Sequence, residues 1–291
     1  MKLEDLPNLS AREDRRAGAV LGLAVGDSLG ATHEFLTPDE VPEGPLEIVG
    51  GGLFGWNPGD PTDDTELALA VLEGYREGPL DLRRVRDAML RWRDTDPRDI
   101  GNQTRKALHY LGRCPEALSL PEDPEAQGNG AVMRAAPHGV MARSPEEAFE
   151  NAFAEASLTH SSWEARTSAA LVAALVAHLV EGATPEKALK AAYDLAEGAG
   201  GGDVRGVFEP AEEYRHERGG WTVYTTRLAL RALFDADKFR SGVERLVRLA
   251  GDADTNGAVA GALLGARFGA SAIPKSWLDT LLAKYALLNT L

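Results

Sequence analysis

Gly251–Gly269, reading GDADTNGAVAGALLGARFG, constrains this chain more than any other stretch. It opens with Asp252, Asp254 and a hydroxyl, Thr255, and then runs through Ala, Gly, Leu and Val without proline. That is a helix start followed by a helix of small residues. Capping is the ordinary use of an Asp in such a place, and one side chain is enough for it. Here three oxygen-bearing side chains crowd four positions. The helix behind them meets its first charge at Arg267, and a helix apolar all round is buried. Its N-terminus therefore lies deep in the fold. Two buried carboxylates repel and cost about several kcal/mol each unless a cation sits between them.

A second acidic cluster answers the first. Thr62-Asp63-Asp64-Thr65 precedes Glu66-Leu67-Ala68-Leu69-Ala70-Val71-Leu72, again a helix opened by acids. Oxygen-only ligands without His or Cys close by suit hard cations such as Mg²⁺, Mn²⁺ or Ca²⁺. Two such clusters from distant parts of the chain can supply a two-metal site.

The charge balance narrows the partners. Lys and Arg number 31 against 45 Asp and Glu, a formal net charge of −14. That argues against nonspecific nucleic acid or an anionic membrane as partner. A small anion held by backbone amides stays compatible with it. The one cysteine, Cys114, stands before Pro115 in an expected loop and rules out an intrachain disulfide or a Cys-rich metal cluster. No signal core opens the sequence and no segment is long and apolar enough to span a bilayer, so a soluble cytoplasmic protein is expected.

Along the chain, a helix is expected from Ala11 to the GDSLGATHEF stretch, with Gly18, Gly22, Gly26 and Gly30 recurring every fourth residue. Charged flanks and Asp27 make it a buried helix against which a neighbour packs closely, not a membrane dimerisation face. Asp27, His33 and Glu34 fall near its end, and the pattern leaves Glu34 either solvated or aimed into the acidic site. Residues 35–61 form a Gly- and Pro-rich loop, long enough to suggest a function. Helices are expected over Asp64–Glu77, Leu82–Arg93 and Thr104–Leu111, the last inside an otherwise irregular region 94–134. Within that region Gly128-Asn129-Gly130 leads into Ala131-Val132-Met133. It lacks the third glycine and preceding strand of a dinucleotide fingerprint. A Gly-rich turn before a helix can cradle phosphate through its amides, and Asn-Gly is equally a plain turn signal. Further helices are expected at Glu146–Ser157, Trp163–Glu181, Pro185–Gly198, Glu209–Arg218, Trp221–Phe234, Lys238–Ala250 and Pro274–Leu288. His160, just before one of them, fits capping or packing as well as ligand contact. No alternating strand pattern occurs. The expectation is an all-α fold of about ten to twelve helices forming one domain over residues 11–291, since the apolar helices of both ends must pack together to bury the acids.

GDSLGATHEF, PTDDTELAL, DIGNQTR, GNGAVMRAAP, LTHSSWEA and GDADTNGAVAGALLG appear in this order. In that ordered set, from about Arg16 to Leu282, the sequence resembles the ADP-ribosylglycohydrolase family, including its dinitrogenase-reductase-activating type. The resemblance implies an all-α fold around a binuclear centre of Mg²⁺ or Mn²⁺. It implies Thr62, Asp63, Asp64, Asp252, Asp254 and Thr255 as metal ligands. Glu34 matches a glutamate with a catalytic or gating role. Asp99 and Asn102 match positions facing the terminal ribose, with Asp99 carried over as a catalytic residue. Gly128, Asn129, Gly130, Ala131, Met133 and His160 match the ADP-ribose-binding face. Pro61 departs from the Trp that many members carry before the TDD triplet, which touches the ribose wall more than the metals. The implied reaction is metal-dependent cleavage of the C1″ bond between ADP-ribose and a protein or small-molecule acceptor. Two other readings remain open: a metal-dependent phosphoesterase acting on ADP-ribose derivatives, and a non-catalytic ADP-ribose-binding relative. The acceptor and the oligomeric state are not legible.

Overall fold

A computed structural model describes residues 8–200, 202–217, 219–282 and 284–291, leaving aside the side chains of 284 and 285. Among the described residues there are fourteen α-helices and no named strand, only isolated bridges at Gly51–Trp56 and Gly128–Trp221. The first half holds α1 (Ala11–Gly30), α2 (Asp63–Gly74), α3 (Leu82–Arg93), α4 (Asn102–Arg113), α5 (Ala136–Met141) and α6 (Pro145–Ala156). The second holds α7 (Trp163–Val180), α8 (Pro185–Gly198), α9 (Val204–Val207), α10 (Thr222–Asp235), α11 (Phe239–Val247), α12 (Ala253–Phe268), α13 (Lys275–Thr280) and α14 (Lys284–Asn289). No helix among the described residues is long and apolar enough to cross a membrane.

The fourth-residue glycines of α1 explain the centre of the fold. A Cβ on Gly18, Gly22 or Gly26 would overlap the backbone carbonyl of Gly265, Gly261 or Gly257 respectively, and each of those glycines meets its opposite number in the same way. The numbers fall on one helix as they rise on the other, so α1 and α12 run antiparallel with their backbones in contact. Helices normally stand about 8–10 Å apart because side chains intervene; a glycine face on both sides removes that spacer. This pairing sets a register. Gly30 lies against Ala253 and Asp254, so the end of α1 meets the acid-bearing start of α12. Helix α7, another Ala, Leu and Val helix with nearly every residue buried, closes the core alongside.

Three departures from the sequence expectation have local causes. The short helix is α9, not Glu209–Arg218; residues 209–217 are irregular, and Arg218 lies outside the described residues. Arg231 of α10 takes the Ala211 and Glu212 carbonyls that a helix there would use for its own turn. The stretch 274–288 is divided, because Leu282 N donates to Gly59 O and not to a preceding turn. Helix α5 stands where no helix was expected, its Pro137 placed in the first turn where a missing N–H costs little.

Candidate metal and substrate site

The site forms where three helix ends meet. Beyond α1 the backbone is tied to the start of α12 twice: Phe35 N donates to Gly251 O at 2.6 Å, and Gly251 N to Leu36 O at 3.0 Å. Phe35 adopts φ 63°, uncommon for a bulky residue, and this bend turns Glu34 inward. Glu34 is only 7% exposed. Oxygens of Glu34, Asp252 and Asp254 lie within 4.8 Å of one another, close enough to share a cation.

Asp27 brings in the third end. Its Oδ2 accepts from Thr62 N at 3.1 Å, from Thr65 N at 3.2 Å and from the Thr65 hydroxyl. An acid of α1 thus caps α2 across the fold. Thr62 also caps its own helix, its Oγ1 accepting from Asp64 N at 3.3 Å. The hydroxyls of Thr62 and Thr255 both reach Asp64 Oδ2, at 3.3 and 3.4 Å. The two acidic clusters are therefore in direct contact. Asp252 makes no capping bond to α12; its Oδ2 takes the Asn129 amide instead. Capping does not account for it.

Electrostatics mark the cluster as incomplete without positive charge. Burial first, then neighbouring carboxylates, pushes Asp63, Asp64 and Asp254 well above the usual carboxylate range. Glu34 is raised to about 9 by burial and by Asp99, Asp252 and Asp63, and Asp99 to about 6 by burial and Asp252. Asp64 Oδ1 and Glu34 Oε2 are buried with no hydrogen-bond partner. Unpaired buried carboxylate oxygens are costly, and an all-oxygen set with spare lone pairs is what a hard cation takes. The residues present fit the divalent metals expected from the sequence.

A cavity of about 350 Å³ opens over the acids. Glu34, Asp63, Asp99, Asp252, Asp254 and Thr255 make up its acid wall; Asn102, Gly128, Asn129, Gly130, Met133 and His160 make up its neutral wall, and the two join where Asn129 bonds Asp252. Thr62 and Asp64 stand behind the acid wall, fully buried or nearly so. Ala131 is completely buried beneath the glycine turn and reaches the cavity only through its neighbours. Asn129 is held by Gly220 O, which accepts its N–H at 2.9 Å, and by Thr225 Oγ1 at 3.0 Å. Burial drives the His160 imidazole down to about 3, with the Arg134 charge adding to the effect, so the ring is neutral. Among the described residues, no Lys or Arg lines the cavity.

Residues 8–291 match the model of the ADP-ribosylglycohydrolase family. This chain belongs to that family. It is 32% identical to an ADP-ribosylarginine hydrolase of Serratia proteamaculans, over 95% of this chain and 77% of that protein. It is 33% identical to the ADP-ribosyl-[dinitrogen reductase] glycohydrolase of Rhodospirillum rubrum, over 92% of this chain and 90% of that one. A solved ADP-ribosylglycohydrolase-related protein complex superposes with a TM-score of 0.83 at 35% identity, covering 97% of each chain.

Several residues of this family member's site escaped the sequence reading. Asp27 was visible as the one acid in a run of buried apolar positions, but nothing local says that it caps a distant helix. Gln103 and Thr104 sit inside the DIGNQTR motif and line the cavity. Gly220 and Phe35 also line it; Gly220 gives no sequence signal, because only the tertiary bridge beside Trp221 brings it there.

Proposed function

We propose that this chain hydrolyses the C1″ glycosidic bond of ADP-ribosyl groups and uses two divalent cations, Mg²⁺ or Mn²⁺, to do so. The observation that carries the reading is the contact between two acid-opened helix starts beneath a cavity whose remaining lining, among the described residues, is neutral. Asp63, Asp64, Asp252 and Asp254, with Thr62 and Thr255, would hold the metals. Bound there, the cations supply charge to orient the ribose hydroxyls and to acidify a water.

The chain's own residues do the rest. The bond to be broken joins C1″ to N or O of the acceptor. Water oxygen bonds to C1″ as the C1″–acceptor bond breaks, and a proton passes to the leaving group. The transition state is oxocarbenium-like, as in other glycoside hydrolysis. Glu34, with an unpartnered oxygen at the acid wall, is placed to move that proton. Asp99 faces the same space from the loop before α4 and stabilises the developing positive charge on the ribose. The amides of the glycine turn, which Asn129 holds in place through Gly220 and Thr225, and His160 bind the anionic remainder, which is how a −14 chain accepts a pyrophosphate. The names of the relatives favour an ADP-ribosylated arginine or protein acceptor over a free nucleotide.

Product analysis tests this. Incubation with ADP-ribosylated arginine, serine and acetyl-ester acceptors, with and without Mg²⁺ or Mn²⁺, should give intact ADP-ribose and free acceptor only when metal is present. AMP plus ribose phosphate would overturn the reading in favour of a phosphoesterase. Binding of ADP-ribose with no turnover of any acceptor would leave a non-catalytic binder.

A further inference from the structure

Behind the neutral wall lies a set of buried polar side chains that the hydrolysis above does not use. Arg134 is fully buried in the turn that follows the glycine arc. Its Nε donates to Glu155 Oε1 at 3.0 Å, its Nη2 to Thr159 Oγ1 at 2.7 Å, and its Nη1 to the Gly130 carbonyl. Glu155 is also fully buried; burial alone would raise its carboxyl, but Arg134 and His138 hold it below the usual range, so the pair is ionised. Thr159 Oγ1 lies 2.8 Å from His160 Nδ1.

Donor and acceptor roles in this chain are forced. A guanidinium only donates, so Thr159 Oγ1 accepts from Arg134. The Thr159 hydroxyl proton then needs an acceptor of its own. Thr159 is 0% exposed, which removes water, and His160 Nδ1 is the acceptor beside it among the described residues. Were Nδ1 protonated instead, Thr159 Oγ1 would accept twice and its own proton would be a buried, unpaired donor, with the full desolvation penalty. A neutral imidazole carries one proton, and here it falls on Nε2. That atom borders the cavity: a Cβ on Gly128 would stand 3.0 Å from it and one on Gly130 3.1 Å.

We infer that Arg134 and Thr159 are positioning residues that lock His160 in the Nε2–H tautomer, so that the cavity wall presents an N–H donor to an oxygen of the bound ADP-ribosyl group. Arg134 has a second effect. By taking the Gly130 carbonyl it turns that dipole away from the cavity, where it would repel an anion. Its charge stays behind the wall, matched by Glu155, so on this side the ligand meets oriented neutral donors and not the Arg134 guanidinium. The functional side of this inference rests on the reading of the cavity as an ADP-ribosyl site; the tautomer itself does not.

Nitrogen-15 NMR of the histidine-labelled free protein at neutral pH tests the tautomer directly, the His160 signals being those lost in His160→Gln. The expected result is a protonated Nε2 and an unprotonated Nδ1. A proton on Nδ1 in the wild type would overturn the inference whatever the enzyme's activity. The second arm is Thr159→Val, near in shape but without the hydroxyl, against Thr159→Ser, which restores it. The Val variant should populate the Nδ1–H form and bind ADP-ribose about tenfold more weakly, the scale of one lost hydrogen bond. With substrate the loss should fall on KM and leave kcat within about threefold; the Ser variant should match the wild type in both measurements. Wild-type affinity in Thr159→Val would also overturn it. If the Val variant does not fold, the wild-type spectrum and the Ser variant still decide.

Discussion

The two walls of the cavity are built by opposite means. The acid wall rests on backbone: two glycine faces bring α1 and α12 into contact, and Asp27 ties α2 to the junction. Its functional groups are buried carboxyls, and Asp64 Oδ1 and Glu34 Oε2 have no partner. The neutral wall centres on a glycine turn whose shape is fixed by side chains behind it, Arg134, Thr159 and Thr225. Its groups are neutral and are held in place from behind. A wall that concentrates like charge needs a rigid frame, because relaxation would let the carboxylates move apart. A wall that recognises an anion needs direction more than rigidity, since each donor must point inward.

The sharpest way to break the first wall is to widen the helix contact. Gly22→Leu places a side chain where the Gly261 carbonyl already stands, with no flexible neighbour to give way. A destabilisation of about 3 kcal/mol or more is expected, at the upper end of overpacking costs, read by chemical denaturation. A variant as stable as the wild type would mean that the contact is looser than described.

Removing one acid keeps the frame and takes away the charge. Asp254→Ala should lose nearly all turnover and most of any rise in melting temperature produced by Mg²⁺ or Mn²⁺, because a ligand of the folded state stabilises only what it binds. Retained metal-dependent stabilisation would remove Asp254 from the ligand set. Glu34→Gln keeps the shape and should slow kcat by about 10²–10⁴-fold, the usual range for general acid–base participation; because a Glu34 oxygen stands close enough to Asp252 and Asp254 to share a cation, the metal-dependent rise in melting temperature should shrink, but less than in Asp254→Ala.

The pH dependence of that rise sharpens the comparison further. The folded carboxyls of Asp63, Asp64 and Asp254 titrate above their unfolded value. Without metal, their contribution to stability is complete below an unfolded pKa of about 3.9 and is lost as pH rises through the folded values. Metal binds the deprotonated form and competes with those protons. The stabilisation by Mg²⁺ or Mn²⁺ should therefore grow from pH 5 to pH 8, as followed by thermal unfolding. A gain independent of pH would place the metals away from these groups.

The smallest effect belongs to the neutral wall. His160→Ala should raise KM about tenfold while kcat changes little, since its contact is with the bound group and not with the bond being broken. A selective loss of kcat would instead bring His160 into the chemistry.

Much of this was legible in the chain. Capping residues and apolar periodicity gave Leu82–Arg93 and Pro185–Gly198 their full extent, because local propensity and burial agree there. The fourth-residue glycines announced a close neighbour, and the oxygen-rich helix starts announced a hard-cation site, since both are written in consecutive residues. What the sequence could not carry was partnership. That the neighbour of α1 is α12, that Asp27 caps α2, that Gly220 completes the cavity and that Arg134 reaches Thr159 across the fold all depend on contacts between distant segments. Such contacts have no local period. Glu34 shows the division most clearly: a helix-end acid has the same sequence signature whether it faces water or a metal, and only the backbone ties between Phe35, Leu36 and Gly251 turn it inward.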